Sequence, residues 1–109
     1  MNKNQAIASL DSRREMLACL SDRIWGYAET AFEEARSAAA LCEALRAEGF
    51  EVEEGVGGIP TAFTGRFGKG GPVIGILGEF DALSGLNQEG GCAVKQPTSP
   101  EDAGKPGHG

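Results

Sequence analysis

Glycine and proline are confined to one half of this chain: sixteen of the seventeen glycines and all five prolines stand at or after Gly49. Inside a helix glycine costs about 1 kcal/mol relative to alanine and proline about 3 kcal/mol. Helices therefore belong to residues 1–48, and strands, turns and loops to the rest. Within the first part, Ile7, Leu10, Leu17, Leu20 and Ile24 recur at steps of three, four or seven. That spacing predicts one amphipathic helix over roughly residues 4–28. Trp25 and Tyr27 close it beside Gly26, and rings of that size usually anchor a core. Thr30-Ala31-Phe32-Glu33 has the form of a capping box, so a second helix is expected to begin at Thr30. It would present Ala35, Ala38, Leu41, Cys42 and Leu45 on one face and end at Gly49, which tolerates a left-handed conformation. Glu29, Glu33 and Glu34 gather at that helix start; capping and the helix dipole account for them better than a metal cluster does.

Past Gly49 the period changes to two. Phe50 and Val52 alternate with Glu51 and Glu53, and Thr61 to Phe67 alternates again, with Phe63 and Phe67 on one face. Gly55 to Pro60 is a loop between these strands, and Gly68-Lys69-Gly70-Gly71-Pro72 is a turn into the next apolar run. That run, Val73-Ile74-Gly75-Ile76-Leu77, reads as a strand buried on both faces, antiparallel to residues 61–67 because the turn is short. Glu79 and Asp81 follow it two residues apart. In extended chain their side chains leave the same face, at the strand end where α/β sheets hold ligands. From residue 87 to Gly109 periodicity is lost, which predicts an irregular loop or tail. The expected fold class is α/β, with residues 1–48 helical, 49–86 in strands and 87–109 irregular.

The bulk properties exclude several functions. A chain of 109 residues holds one domain at most. Net charge is −6, and its ten lysines and arginines are scattered, so the basic footprint that nucleic acid requires is missing. Lys69 sits among glycines, but Phe63 stands where a P-loop needs glycine and Gly70 where it needs Ser or Thr. Cys19, Cys42 and Cys92 are odd in number and lack CxxC spacing, which points to a reducing compartment with no disulfide framework. Neither a secretory h-region nor about 18 consecutive apolar residues occurs, so the expectation is a cytoplasmic chain that binds no membrane.

By residue type, Glu79 and Asp81 are able to act as acid and base, to bind a hard cation, or to orient a metal-binding histidine. Solvated acids at a strand end are the plainer alternative. His108, the single histidine, stands in a Gly-Pro loop and would have to serve any triad.

Five segments sharpen this reading: Trp25-Gly26-Tyr27-Ala28-Glu29-Thr30-Ala31-Phe32-Glu33-Glu34, Gly57-Gly58-Ile59-Pro60, Gly78 to Leu86, Gly91-Cys92-Ala93 and Gly107-His108-Gly109. In their content and order the chain resembles the start of the amidohydrolase branch of the aminoacylase and carboxypeptidase superfamily of di-metal peptidases. The resemblance implies the catalytic α/β domain of a zinc-peptidase-like fold holding two divalent metals, zinc or manganese. It also implies a smaller inserted domain that mediates dimerisation. The reaction implied is hydrolysis of the amide of N-acyl or aminobenzoyl amino acids such as p-aminobenzoyl-glutamate, by water that the metals activate and a glutamate deprotonates. On the family pattern Asp81 matches the acid that supports the metal site from behind a ligand, and Glu79 stands where peptidase relatives carry a metal-binding histidine. His108 matches the residue just ahead of the first ligand of a Cys-Gly-His motif, which places it at the substrate. Gly109 is the last residue. The chain is therefore expected to be the N-terminal part of such a catalytic domain, binding no metal and inactive alone. Its small-molecule substrate and its homo- or hetero-oligomeric partners would belong to the complete enzyme. A non-catalytic α/β interaction module derived from that family is the other reading.

Overall fold

The computed structural model describes residues 2–109. Three helices precede a two-stranded antiparallel sheet: α1 (Lys3–Asp11), α2 (Arg14–Tyr27), α3 (Ala35–Ala47), β1 (Glu51–Glu54) and β2 (Phe63–Arg66), with 3-10 turns at Val56–Gly58 and Pro100–Asp102. The mixed α/β character expected from the sequence holds; the three α-helices lie before Gly49 and the two strands after it. None of the described helices is long and apolar enough to cross a membrane.

The single helix expected over residues 4–28 is instead two. Asn2 and Gln5 form a reciprocal capping box that starts α1. The Ser12 hydroxyl then turns back to donate to the Ser9 carbonyl, a competition with the helical ladder typical of serine. The Arg13 guanidinium also donates to the Ser9 carbonyl and bridges to Glu48 at 2.7 Å. The helix resumes at Arg14. Ile7 and Leu10 consequently remain exposed, and only Leu20 and Ile24 of the expected stripe are partly buried.

The second helix also starts later than its capping box implied. Thr30 and Glu33 close a turn instead, with the Glu33 N–H donating to the Thr30 carbonyl, and α3 begins at Ala35. Its far end follows the sequence closely. Gly49 adopts a φ of +86°, its N–H donates to the Arg46 carbonyl, and the Phe50 N–H donates to Leu45. Those two bonds make the Schellman ending that glycine permits. Ser37, Ala38, Ala40 and Cys42 are the buried residues of α3, whereas Ala35 is exposed. Buried positions on more than one face mean that α3 lies between α2 and the hairpin, contacting both.

In the hairpin Val52 faces Gly65 and Glu54 faces Phe63. A Cβ on Gly65 would lie 3.0 Å from Leu45 Cδ1, so glycine is what lets Leu45 settle on this sheet. The Phe50 and Phe67 rings pack 5.1 Å apart, and Phe63 packs against Phe80 at 5.7 Å.

Residues 73–77 overturn the expected buried strand. Val73, Ile74, Ile76 and Leu77 are 97%, 84%, 94% and 90% exposed, and no helix or strand includes them. A strand buried on both faces needs layers packed against those faces and a neighbouring strand to pair with. Here β2 pairs with β1, and no backbone bond outside the named elements joins any residue from Phe67 to Asp81 to another. The stretch after Leu86 is irregular, as expected, yet it folds back. Asn87 donates to the Lys105 carbonyl, Glu89 to Gln96 and Gly109 to Leu86, while the Asn87 side chain accepts from both the amide and the hydroxyl of Thr98.

Candidate functional site

Two isolated backbone contacts give Asp81 its setting. Ala82, almost fully buried, donates its N–H to the Glu29 carbonyl at 2.7 Å and pairs in parallel with Thr30. Leu83 pairs in antiparallel fashion with Gly107, exchanging bonds of 2.9 and 3.1 Å. The first contact ties the Asp81 neighbourhood to the start of α3, and the second brings in the end of the chain. Asp81 thus stands two residues before, and His108 one residue after, the paired positions of two segments far apart in sequence. Glu79 does not share this place: it is exposed, before the first anchored residue. Neither Glu79 nor Asp81 enters an ion pair among the described residues.

Gly107 is at this junction for want of a side chain. A Cβ there would meet the backbone of Leu86 and Asn87, at 2.6 Å from the Leu86 carbonyl carbon and 2.8 Å from Asn87 Cα. Any other residue would push the returning segment off the Ala82–Leu86 turn. The next residue, His108, is half-buried, and its Nε2 is enclosed without a hydrogen-bond partner; Glu34 Oε2 is the other such atom among the described side chains. Enclosing an unpaired polar atom costs about 1–3 kcal/mol.

Glu29 is the electrostatic centre of the region, and it serves the helix start at which the sequence grouped it with Glu33 and Glu34. Its Oε1 accepts from the Arg36 amide and Nε, and its Oε2 from the Ser37 amide and hydroxyl, at 2.8–3.1 Å. The amides of Arg36 and Ser37 lie in the first turn of α3, where helical donors lack partners. A carboxylate from outside the helix thus does what a capping box at Thr30 was expected to do. Burial pushes the Glu29 carboxyl up, but the donors of Arg36 and Ser37 outweigh it and hold it at about 2. Arg36 extends the joint by donating to the Tyr27 carbonyl and lying 4.6 Å from the centre of the Tyr27 ring.

A groove of about 260 Å³ lies between α2 and α3, lined by Met16, Cys19, Leu20, Arg23 and Ala40 among others. It takes in neither Asp81, Glu79 nor His108. Among the described residues no three His, Cys, Asp or Glu side chains converge as metal ligands do, so these residues do not fit a pair of divalent cations.

The chain is similar to a p-aminobenzoyl-glutamate hydrolase subunit of Escherichia coli K12. Identity is 48% over 101 residues, 93% of this chain, and the match spans 20% of that protein's length. No family model and no solved structure matches the chain.

Proposed function

We propose that this chain is the part of an amide hydrolase, acting on N-acyl or aminobenzoyl amino acids such as p-aminobenzoyl-glutamate, that places Asp81 and His108 beside the reacting amide. Identity with the hydrolase subunit supports the reaction class. The observation that carries the assignment to these residues is the Leu83–Gly107 pairing, which brings two distant segments together. Asp81 acts there by orienting a neighbouring group, and Glu79 is the weaker candidate because nothing anchors it. His108 stands one residue past the paired Gly107, and contact with the substrate is its role in this reading. Two divalent metals, zinc or manganese, belong to this reading as cofactors of the family. The described residues supply no ligand set for them, so this chain is assigned no ligand role and is not expected to hydrolyse the amide unaided. The relative is named as a subunit, and assembly with other chains is part of the same reading, as is a cytoplasmic setting for its three free cysteines.

The test is release of p-aminobenzoate from p-aminobenzoyl-glutamate by the gene product that carries this sequence, followed by chromatography. Asp81→Asn should lower turnover by about 10- to 100-fold, the usual cost of losing a group that orients a reacting one. A gene product without hydrolase activity would favour the non-catalytic interaction module, and full activity in Asp81→Asn would remove Asp81 from the mechanism.

A further inference from the structure

Asp81 stands where an unpaired run ends. From Phe67 to Asp81 no backbone bond ties the run to another part of the chain, so no backbone bond of its own fixes where the carboxylate sits. Its two neighbours decide it. The Phe80 ring rests against Phe63, and Ala82 gives its N–H to the Glu29 carbonyl beside its pairing with Thr30. Of these, only the Ala82 contact is a directed backbone bond. Glu29 is in turn fixed from the other side, because its carboxylate takes two amides and two side-chain donors from Arg36 and Ser37.

We propose that Glu29 is a positioning residue for Asp81: its carboxylate pins residue 29 to the first turn of α3, and its carbonyl passes that fixed position to Ala82. The chemistry of the joint requires a carboxylate of this length. Four donors converge on two oxygens, one amide and one side chain to each. Glutamine would turn an N–H₂ group against two of those donors, and aspartate would fall one methylene short. The proposal deepens the hydrolase reading, and it rests on that reading only for its consequence on turnover.

Amide hydrogen exchange followed by NMR on the chain tests the joint itself, since exchange reports local opening separately from global unfolding. In Glu29→Gln, exchange at Ala82 should accelerate by about tenfold or more, the scale expected for losing charge-assisted bonds. The β1–β2 amides should keep their rates. Ser37→Ala removes one donor while leaving Glu29 in place; it should accelerate Ala82 by about threefold and serves if the first variant unfolds. Unchanged exchange at Ala82, or equal acceleration throughout the hairpin, overturns the proposal. In the gene product, Glu29→Gln should lower kcat by about tenfold with KM held within about twofold, because a displaced Asp81 affects the reacting complex more than binding. A loosened Ala82 with unchanged kcat would overturn the positioning role. Absence of hydrolysis by the unmodified gene product would overturn the hydrolase reading and that role together, and the exchange result would stand as a property of the fold.

Discussion

A carboxyl group held at about 2 by hydrogen bonds has a definite consequence for acid stability. Because the folded value for Glu29 is depressed from its usual 4.5, its contribution is fully present above the unfolded value and disappears as pH falls from there toward about 2. Removing the charge should therefore flatten the stability profile in that window. Glu29→Gln is expected to cost about 2 kcal/mol near neutral pH, with the deficit shrinking toward pH 2. Urea midpoints for the variant and the unmodified chain across that range would check this; a deficit independent of pH would mean that charge is not what Glu29 contributes. Asp102 is also held at about 2, by Lys105, Ser99 and Thr98, and titrates in the same window. Both proteins retain it, so the difference between their profiles isolates Glu29.

At the scale of elements, what was legible in the sequence was what short-range rules determine. Gly49 ends α3 because a Schellman ending needs only the preceding turn, and the alternation around Val52 and Phe63 matches the strands of the hairpin. The break at Ser12 was not legible because apolar spacing continues across it; a hydroxyl competing for the Ser9 carbonyl leaves no trace in periodicity. The capping box at Thr30 had the right residues, but Glu29 reaches the first-turn amides of α3 from outside the helix. No local pattern distinguishes those two arrangements. Asp81 and His108 were legible as candidates by residue type and family likeness, whereas the pairing that joins their two segments was not, since it depends on Leu83 finding Gly107. Gly107 supplies a test at this scale. Gly107→Ala should undock the returning segment at a cost of about 1–3 kcal/mol, the range for forcing atoms into filled space. Its mark would be lost exchange protection at Leu83 with the α3 amides unaffected. Protection retained at Leu83 would mean that the turn shifts to admit a methyl group.

For the whole molecule, the apolar residues that close-pack are few and small. Ala38, Ala40, Cys42 and Ala82 are the buried apolar residues among those described, while Val73, Ile74, Ile76 and Leu77 face outward. The accessible surface is 8211 Å², against about 5,700 Å² for a compact monomer of this mass. The radius of gyration is 16.5 Å, against about 13 Å for a compact chain of this length. An uncharged, β-prone segment with free backbone groups is a template for pairing between copies. Ile76→Lys should suppress concentration-dependent association in sedimentation velocity with little change in the monomer's stability, because the side chain it replaces is already in solvent. Association undiminished by the lysine would place the sticky surface elsewhere.

The contact between Glu29 and Ala82 also sets an order of assembly on the ribosome. The clamp on Arg36 and Ser37 closes over seven or eight residues and is available as soon as α3 has been synthesised. The bond from Ala82 closes a loop of about fifty residues, at an entropic cost about 2 kcal/mol greater than that of the clamp. Gly107 follows later still. The helices and the hairpin can all be made before Asp81 has a place to go, so the candidate site is the last part of this chain to be built.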